Sequence, residues 1–187
     1  MKIALITGSC GLVGAESVEF FIRKKFTVIG IDNNFRKFFF GKDGSTSWMK
    51  SYLLKKYKKN YIHLNIDIRK LSELEKIFKK YRNKIKVIIH SAAQPSHDWA
   101  ASNPEVDFDV NAIGTLNMLK LSKKYLLKKI PFIFMSTNKV YGDNPNKLKI
   151  TENKLRFDLK KKHNYYKGIN EDMSIDKCTH SFFGVSK

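Results

Sequence analysis

The sequence predicts an α/β chain, a Rossmann-type doubly wound parallel sheet with helices on both faces. Three observations carry this. Short apolar runs alternate with helix-period segments over residues 2–137. Gly8, Gly11 and Gly14 follow the first run directly. Asp32 closes the second run. A β-α-β-α order implies parallel pairing, because each crossover helix returns the chain to the same end of the sheet.

Residues 2–7 (KIALIT) form a continuous apolar run ending at Gly8, as a strand buried on both faces reads. Residues 12–25 carry apolar side chains at helical spacing and end in Lys24 and Lys25, which suit a helix C-terminus. Residues 27–32 (TVIGID) are the second strand. Residues 33–59 are irregular at first, through Phe38-Phe39-Phe40-Gly41, with a helix expected over 48–57. Residues 61–67 (YIHLNID) give the third strand, and 71–81 an amphipathic helix with Ser72 as its expected cap. Residues 87–92 (VIIHSA) are the fourth strand. A single long helix is expected over 105–127, with Pro104 just before it. Residues 132–137 (FIFMST) are the fifth strand. After Tyr141 the periodicity fades into polar sequence, and no internal repeat is visible.

The chain's 187 residues suffice for one domain with a real core, and 42% hydrophobic residues argue against disorder. Two cysteines, Cys10 and Cys178, make no disulfide framework and suit a reducing compartment. The N-terminal apolar run is too short for a signal peptide, and no stretch is long enough to span a membrane. The expectation is a soluble cytoplasmic protein without a membrane partner. The net charge of +19 raises the question of a nucleic-acid partner. The lysines, however, are scattered in pairs (Lys24-Lys25, Lys55-Lys56, Lys79-Lys80, Lys123-Lys124, Lys128-Lys129) on expected outer faces. They form no single patch and interleave with no stacking motif, so no specific nucleic-acid binding is expected. No metal ligands are expected either.

In such sheets, ligands bind beyond the carboxyl ends of the strands, at the switch in strand order. After the first strand, Gly8 permits a tight turn, Gly11 lets backbone N–H groups approach a pyrophosphate, and Gly14 lets the helix pack on the sheet. A carboxylate at Asp32 would accept hydrogen bonds from the adenosine ribose and repel a 2′-phosphate, which favours NAD over NADP. Arg36 stands close enough to accommodate that phosphate. After the third strand, Asp67 and Ile68 would either meet the adenine or, for Asp67, cap the helix that starts near Lys70.

These motifs stand in the order TGSCGLVG (7–14), Asp32, Asp67-Ile68, HSAAQ (90–94), NAIGT (111–115) and STNKVYG (136–142). Together they resemble the extended short-chain dehydrogenase/reductase family, the NAD-dependent sugar-nucleotide epimerases and dehydratases. The resemblance covers nearly the whole chain. It implies NAD as cofactor, adds Leu12, Val13 and Asn33 to the binding set, and puts Ser91, Ala92 and Ala93 on the nicotinamide side. It makes Asn111 the buried Asn that orders the active site; from the residues alone, Asn111 reads equally as a structural hydrogen bonder. Thr137 falls on the family's Ser/Thr, whose hydroxyl bonds the sugar oxygen as it becomes a carbonyl. Tyr141 packs beneath the site. The family's YxxxK string corresponds to residues 181–187, where Lys187 fits the Lys that binds the nicotinamide ribose. Phe183 occupies the Tyr position and has no proton to exchange.

Within the family, the strings MSTNKVYG (135–142), DNNFRK (32–37) and GINEDMSID (168–176) are most similar to those of the CDP-paratose 2-epimerases. That implies a CDP-sugar substrate, oxidised transiently at C2 and reduced again on the other face. The alternatives within the class are a UDP- or dTDP-sugar 4-epimerase or 4,6-dehydratase. A dehydratase would need an acidic pair directly after Thr137, where Asn138 and Lys139 stand. Family members continue beyond the position of Lys187 into further strands and a substrate domain. The expectation is therefore a Rossmann domain over 1–187, incomplete at its C-terminal end and lacking the substrate domain. The second reading is a catalytically inactive NAD-binding remnant. A homodimer is left open.

Overall fold

A computed structural model describes residues 1–126 and 129–187. Its centre is a parallel sheet of β1 (Ile3–Thr7), β2 (Thr27–Ile31), β3 (Tyr61–Leu64), β4 (Ile85–His90) and β5 (Phe132–Phe134), in the order β3-β2-β1-β4-β5. The chain steps outward from β1 to β3, then crosses back to lay β4 on the other side of β1. The switch in strand order therefore lies between β1 and β4, where the carboxyl ends of neighbouring strands diverge.

Alternation along β1 builds two cores. Ala4 and Ile6 pack with Ala15 and Val18 of α1 (Leu12–Arg23) and Leu53 of α3 (Ser47–Tyr57). Ile3 and Leu5 pack with Leu74, Ile77 and Phe78 of α4 (Leu71–Tyr81) and with Met118 and Leu121 of α7 (Gly114–Tyr125). A strand with side chains alternating to opposite faces needs apolar residues at every position when both faces are covered, and all five β1 residues are buried. The doubly wound architecture expected from the sequence is present.

Several boundaries differ from expectation. β3 stops at Leu64 rather than Asp67, because its ladder partner, β2, ends at Ile31. β5 stops at Phe134 rather than Thr137 for the same reason: the Met135 N–H makes the last bond to β4, at the His90 carbonyl, 3.0 Å. β4 begins at Ile85, before Val87, with a register irregularity opposite Ile3 and Ala4. Ser72 caps nothing. It lies inside the first turn of α4, whose start at Lys70 carries no side-chain cap. The long helix expected over 105–127 is present as one uninterrupted helical run in which α6 (Pro104–Phe108) passes through a π-helical turn (Asp109–Ile113) into α7. Leu127, its expected last residue, and Lys128 lie outside the described residues.

Five α or β elements among the described residues had no counterpart in the sequence reading. They are α2 (Arg36–Phe40), α5 (His97–Ser102), an antiparallel hairpin of β6 (Ile150–Glu152) and β7 (Phe157–Leu159), and α8 (Phe182–Val185). Ser96 caps α5, its Oγ accepting the Trp99 N–H at 3.2 Å. Among the described residues, no helix is long and apolar enough to cross a membrane.

Candidate cofactor cleft

A solvent-open cleft of about 270 Å³ lies over the carboxyl ends of β1, β2 and β4. That is close to the lower end of the roughly 300–1,000 Å³ range of small-molecule sites. Thirteen of the sequence-predicted residues line it: Gly8, Gly11, Leu12, Val13, Gly14, Asp32, Asn33, Arg36, Asp67, Ile68, Ser91, Ala92 and Ala93.

The floor is the turn from β1 into α1. Gly8 has φ +66°, and a Cβ there would fall 2.7 Å from the Ala92 nitrogen. The turn therefore presses against the end of β4 as only glycine allows. Gly11 is the N-cap of α1 and offers no side-chain acceptor, and the first turn of α1 carries no acidic residue. The helix thus presents its first N–H groups and the positive end of its dipole without an internal anion. This is the geometry of a phosphate seat.

Asp32 stands beside that seat. Its Oδ2 accepts the Cys10 N–H at 3.0 Å and its Oδ1 accepts the Asn34 N–H at 2.8 Å. Two backbone donors fix the carboxylate, and each oxygen retains capacity for a further hydroxyl. Burial, reinforced by the Asp32 charge, pushes the Cys10 thiol up to about 11. Cys10 is therefore a neutral packing group, not a nucleophile. Arg36 does not turn towards Asp32; its guanidinium lies over the Phe40 ring, 4.7 Å from the centroid.

Asp67 neither caps α4 nor stands free. Lys70 donates its N–H to the Asp67 backbone carbonyl at 2.9 Å. The carboxylate is held by Arg69, whose Nε reaches Oδ1 at 3.0 Å and whose Nη2 reaches Oδ2 at 2.6 Å. Burial opposes the Asp67 charge, but the Arg69 side chain and backbone hold its pKa below the usual carboxylate range. Arg69 also stacks on Phe35, 4.6 Å from the ring centroid. Asp67, Arg69 and Phe35 thus form one shelf at this end of the cleft.

Behind the wall formed by Ser91, Ala92 and Ala93 runs a buried hydrogen-bond chain. Thr115 Oγ1 donates to the Asn111 carbonyl, so at its 3.0 Å contact with His90 Nε2 it must accept. His90 Nε2 therefore carries the proton, and Nδ1 accepts from Thr7 Oγ1 at 2.7 Å. The Thr7 oxygen in turn accepts the Ala92 N–H at 3.2 Å. Burial holds the His90 pKa down to about 4, consistent with a neutral ring.

Asn111 is buried behind this wall rather than lining the cleft. Its Oδ1 accepts the Gln94 N–H at 2.9 Å, and its Nδ2 donates to the Gln94 carbonyl at 3.2 Å and to Ser186 Oγ at 3.0 Å. Lys187 lies near Met135, which does line the cleft: Nζ donates to the Met135 carbonyl at 3.4 Å. The ammonium also sits between the Phe134 and Phe183 rings, 5.8 and 5.9 Å from their centroids. Burial brings the Lys187 pKa down to about 8. Phe183 is buried beneath it. Thr137 is outside the cleft lining; its Oγ1 accepts the Lys139 N–H at 3.3 Å and contacts Asn138 Oδ1 at 3.4 Å. Tyr141 bonds the Asn170 carbonyl at 3.1 Å.

The family profile described as GDP-mannose 4,6 dehydratase matches residues 5–158, which contain the whole glycine turn, Asp32 and all of the central sheet but the first two residues of β1. The chain belongs to the GDP-mannose 4,6 dehydratase family. Over all 187 residues it is 32% identical to the CDP-paratose 2-epimerase of Salmonella typhi, covering 50% of that protein. Over 148 residues, 78% of this chain, it is 33% identical to the UDP-glucuronate 4-epimerase of Thermodesulfobacterium geofontis, covering 42% of it. The UDP-glucose 4-epimerase of Bifidobacterium longum, solved with NAD+ and UDP, superposes with a TM-score of 0.70 at 25% identity, over all of this chain and 46% of that one. The chain spans half or less of the length of these relatives.

In this GDP-mannose 4,6 dehydratase family member, sequence reasoning overlooked several cleft residues: Phe35, Phe39, Thr46, Ile66, Pro95, Val110 and Met135. The apolar ones carry no chemical signature in sequence. The Phe35–Phe40 segment did have a signal, since a run of aromatics beside Asp32 has no strand to belong to.

Proposed function

We propose that the cleft holds NAD and that this chain serves nucleotide-sugar epimerase/dehydratase chemistry. The carrying observation is Asp32, fixed by two backbone N–H groups beside the uncapped start of α1. A pyrophosphate would sit at Gly11–Gly14, with the adenosine ribose on Asp32 and the adenine on the shelf of Ile68, Asp67 and Arg69. Ser91, Ala92 and Ala93 would flank the nicotinamide end, with Asn33 and Arg36 at the adenosine rim. Bound NAD supplies a hydride acceptor. Lys187, cationic below pH about 8, would orient the cofactor's second ribose. Thr137 would offer its hydroxyl to the sugar oxygen. The glycine turn and the Thr7–His90 chain keep the wall rigid and dry behind the reacting end.

A CDP-sugar is the proposed substrate class, with inversion at C2, supported by the similarity to the Salmonella typhi enzyme along the entire chain. Asn138 and Lys139 after Thr137 speak against a 4,6-dehydratase, which needs acid catalysis there. One observation favours a second reading, an NAD-binding module without turnover. Phe183, at the position of the Tyr in the YxxxK string, puts an aromatic ring without a hydroxyl beside Lys187, so that position offers no proton to exchange with substrate.

Isothermal titration with NAD and NADP tests the cofactor assignment. Tighter binding of NAD is expected. Equal or tighter binding of NADP would show that Arg36 rather than Asp32 governs the choice.

A further inference from the structure

Ser9, Tyr61 and His63 stand outside the cleft lining, and the proposed function leaves them unused. Ser9, inside the glycine turn, is 0% exposed, and Tyr61, at the start of β3, is 2% exposed. The Tyr61 hydroxyl lies 2.9 Å from Ser9 Oγ and 3.3 Å from His63 Nδ1. It is also 3.7 Å from Cys10 Sγ.

To reach Ser9, the Tyr61 side chain crosses β2. Val28 pairs with Tyr61 and Gly30 with His63, so Gly30 is the diagonal neighbour of Tyr61 on the same face of the sheet. A Cβ on Gly30 would stand 2.6 Å from the Tyr61 hydroxyl and 2.5 Å from Ser9 Oγ. The bond can form because β2 carries no side chain at that point. The three groups close into one chain when Ser9 donates to the Tyr61 oxygen and the Tyr61 hydroxyl donates to His63 Nδ1. Burial and the Lys50 charge hold the His63 pKa below its ordinary value, so the ring is neutral at pH 7 and Nδ1 can accept. Burial also keeps the phenol protonated.

The residues on either side of Ser9 join this chain to the cleft floor. The Ile31 carbonyl of β2 accepts the Gly8 and Ser9 N–H groups, at 2.8 and 3.3 Å. Cys10 donates its N–H to Asp32 Oδ2 at 3.0 Å, and Gly11 donates to the Gly8 carbonyl at 3.0 Å. β2 thus holds the backbone of the turn, and β3 holds a side chain of it through Tyr61.

We propose that Tyr61 is a positioning residue for the glycine turn: its phenol, passing over Gly30, tethers Ser9 and so keeps the Cys10 N–H on Asp32 and the Gly11 N–H on Gly8. The effect on cofactor affinity rests on the NAD reading; the tether itself does not.

The test is amide hydrogen exchange of the cofactor-free protein, read by NMR, in Tyr61→Phe, which removes the hydroxyl and keeps the ring. The Cys10 and Gly11 amides are expected to exchange about 2–10-fold faster, the worth of one net hydrogen bond, while Leu5 in β1 changes less. Unchanged exchange at Cys10 and Gly11 overturns the proposal. Equal acceleration at all three amides also overturns it, since that is a loss of global stability and not of a tether. Ser9→Ala cuts the same bond from the turn side and should accelerate the same two amides even if Tyr61→Phe does not fold. The double variant strands no hydroxyl at this bond. Turn amides that stay fast in it support the tether, whereas a return to parental rates traces the effect to an unpaired Ser9 hydroxyl and overturns it. NAD titration separates the two readings, with affinity expected to fall about 2–10-fold in Tyr61→Phe. An unaltered protein that binds no NAD fails the cofactor reading, and the exchange result still decides the tether. Accelerated exchange with unchanged NAD affinity upholds the tether and counts against the turn as the phosphate seat.

Discussion

A Cβ on Gly14 would stand 1.9 Å from the Gly8 carbonyl oxygen. The obstructing atom is backbone of the turn itself, which is pinned on both sides. Gly8 donates its N–H to the Ile31 carbonyl at 2.8 Å, and even a Cβ on it would collide with the Ala92 backbone. No side-chain rotation can make room. Gly14→Ala is therefore expected to destabilise the fold by about 1–3 kcal/mol, the usual cost of overpacking a well-filled site. It should also weaken cofactor binding by displacing the α1 start. Urea unfolding measures the first effect and calorimetry the second. A variant with parental stability would mean that α1 shifts freely on the sheet.

Asp32 supplies the charge at the adenosine end. Removing it in Asp32→Ala leaves the Cys10 and Asn34 N–H groups unpaired and deletes the acceptors proposed for the ribose. Hydrogen bonds to charged groups are typically worth about 1.5–3 kcal/mol. NAD affinity should fall by roughly 10–150-fold, while NADP, relieved of the repulsion, should lose less. If the two cofactors weaken equally, Asp32 holds the loop but does not discriminate.

His90 predicts an acid-side loss of stability. Its folded pKa, about 4, lies below the ordinary 6.5 because of burial. Above pH 6.5 the ring is neutral in both states and costs nothing. As pH falls from 6.5 towards 4, the unfolded chain takes up a proton that the folded chain refuses, so folding stability decreases. The loss should approach about 3 kcal/mol by pH 4. Denaturant midpoints of the parent and of His90→Leu across this range test it. The variant should be less stable at pH 7 yet show a shallower decline. Parallel profiles would place the acid sensitivity elsewhere.

Phe183 sets the expectation for turnover. A positioned general base typically contributes about 10²–10⁴-fold, and a buried phenyl ring contributes none of it. Thr137 is a poor base at neutral pH, and its hydroxyl is engaged by Asn138 and Lys139. The 187-residue chain, given NAD and a CDP-sugar, is expected to show little or no NADH formation or inversion at C2. Robust turnover in that coupled assay would mean that another residue or a second polypeptide supplies the base.

Much of this was legible in the sequence. The strands of a doubly wound sheet are apolar at every position because both faces are covered, so β1, β2 and β4 stood out as continuous runs. The glycine turn and Asp32 are local: their chemistry depends on φ, on the absence of a Cβ and on one carboxylate, all encoded within a few residues. Short elements were not legible. α5 has too few residues to display a period, although Ser96 was an available cap signal. β3 and β5 end where their neighbours end, which no single segment can report.

What only the tertiary structure decided is the setting of the polar residues. Asp107 and Asn111, four positions apart, share a helical face on any reading. That this face is dry, and that it meets Gln94 and Ser186, depends on contacts 13 to 75 residues apart. Likewise, Asp67 read as an adenine contact or a helix cap; in the fold its carboxylate pairs with Arg69 and caps no helix. A side chain's type states which hydrogen bonds and charges it can offer. Burial and long-range partners set which of them it makes, because desolvation and Coulomb energy depend on neighbours that only the folded chain brings together.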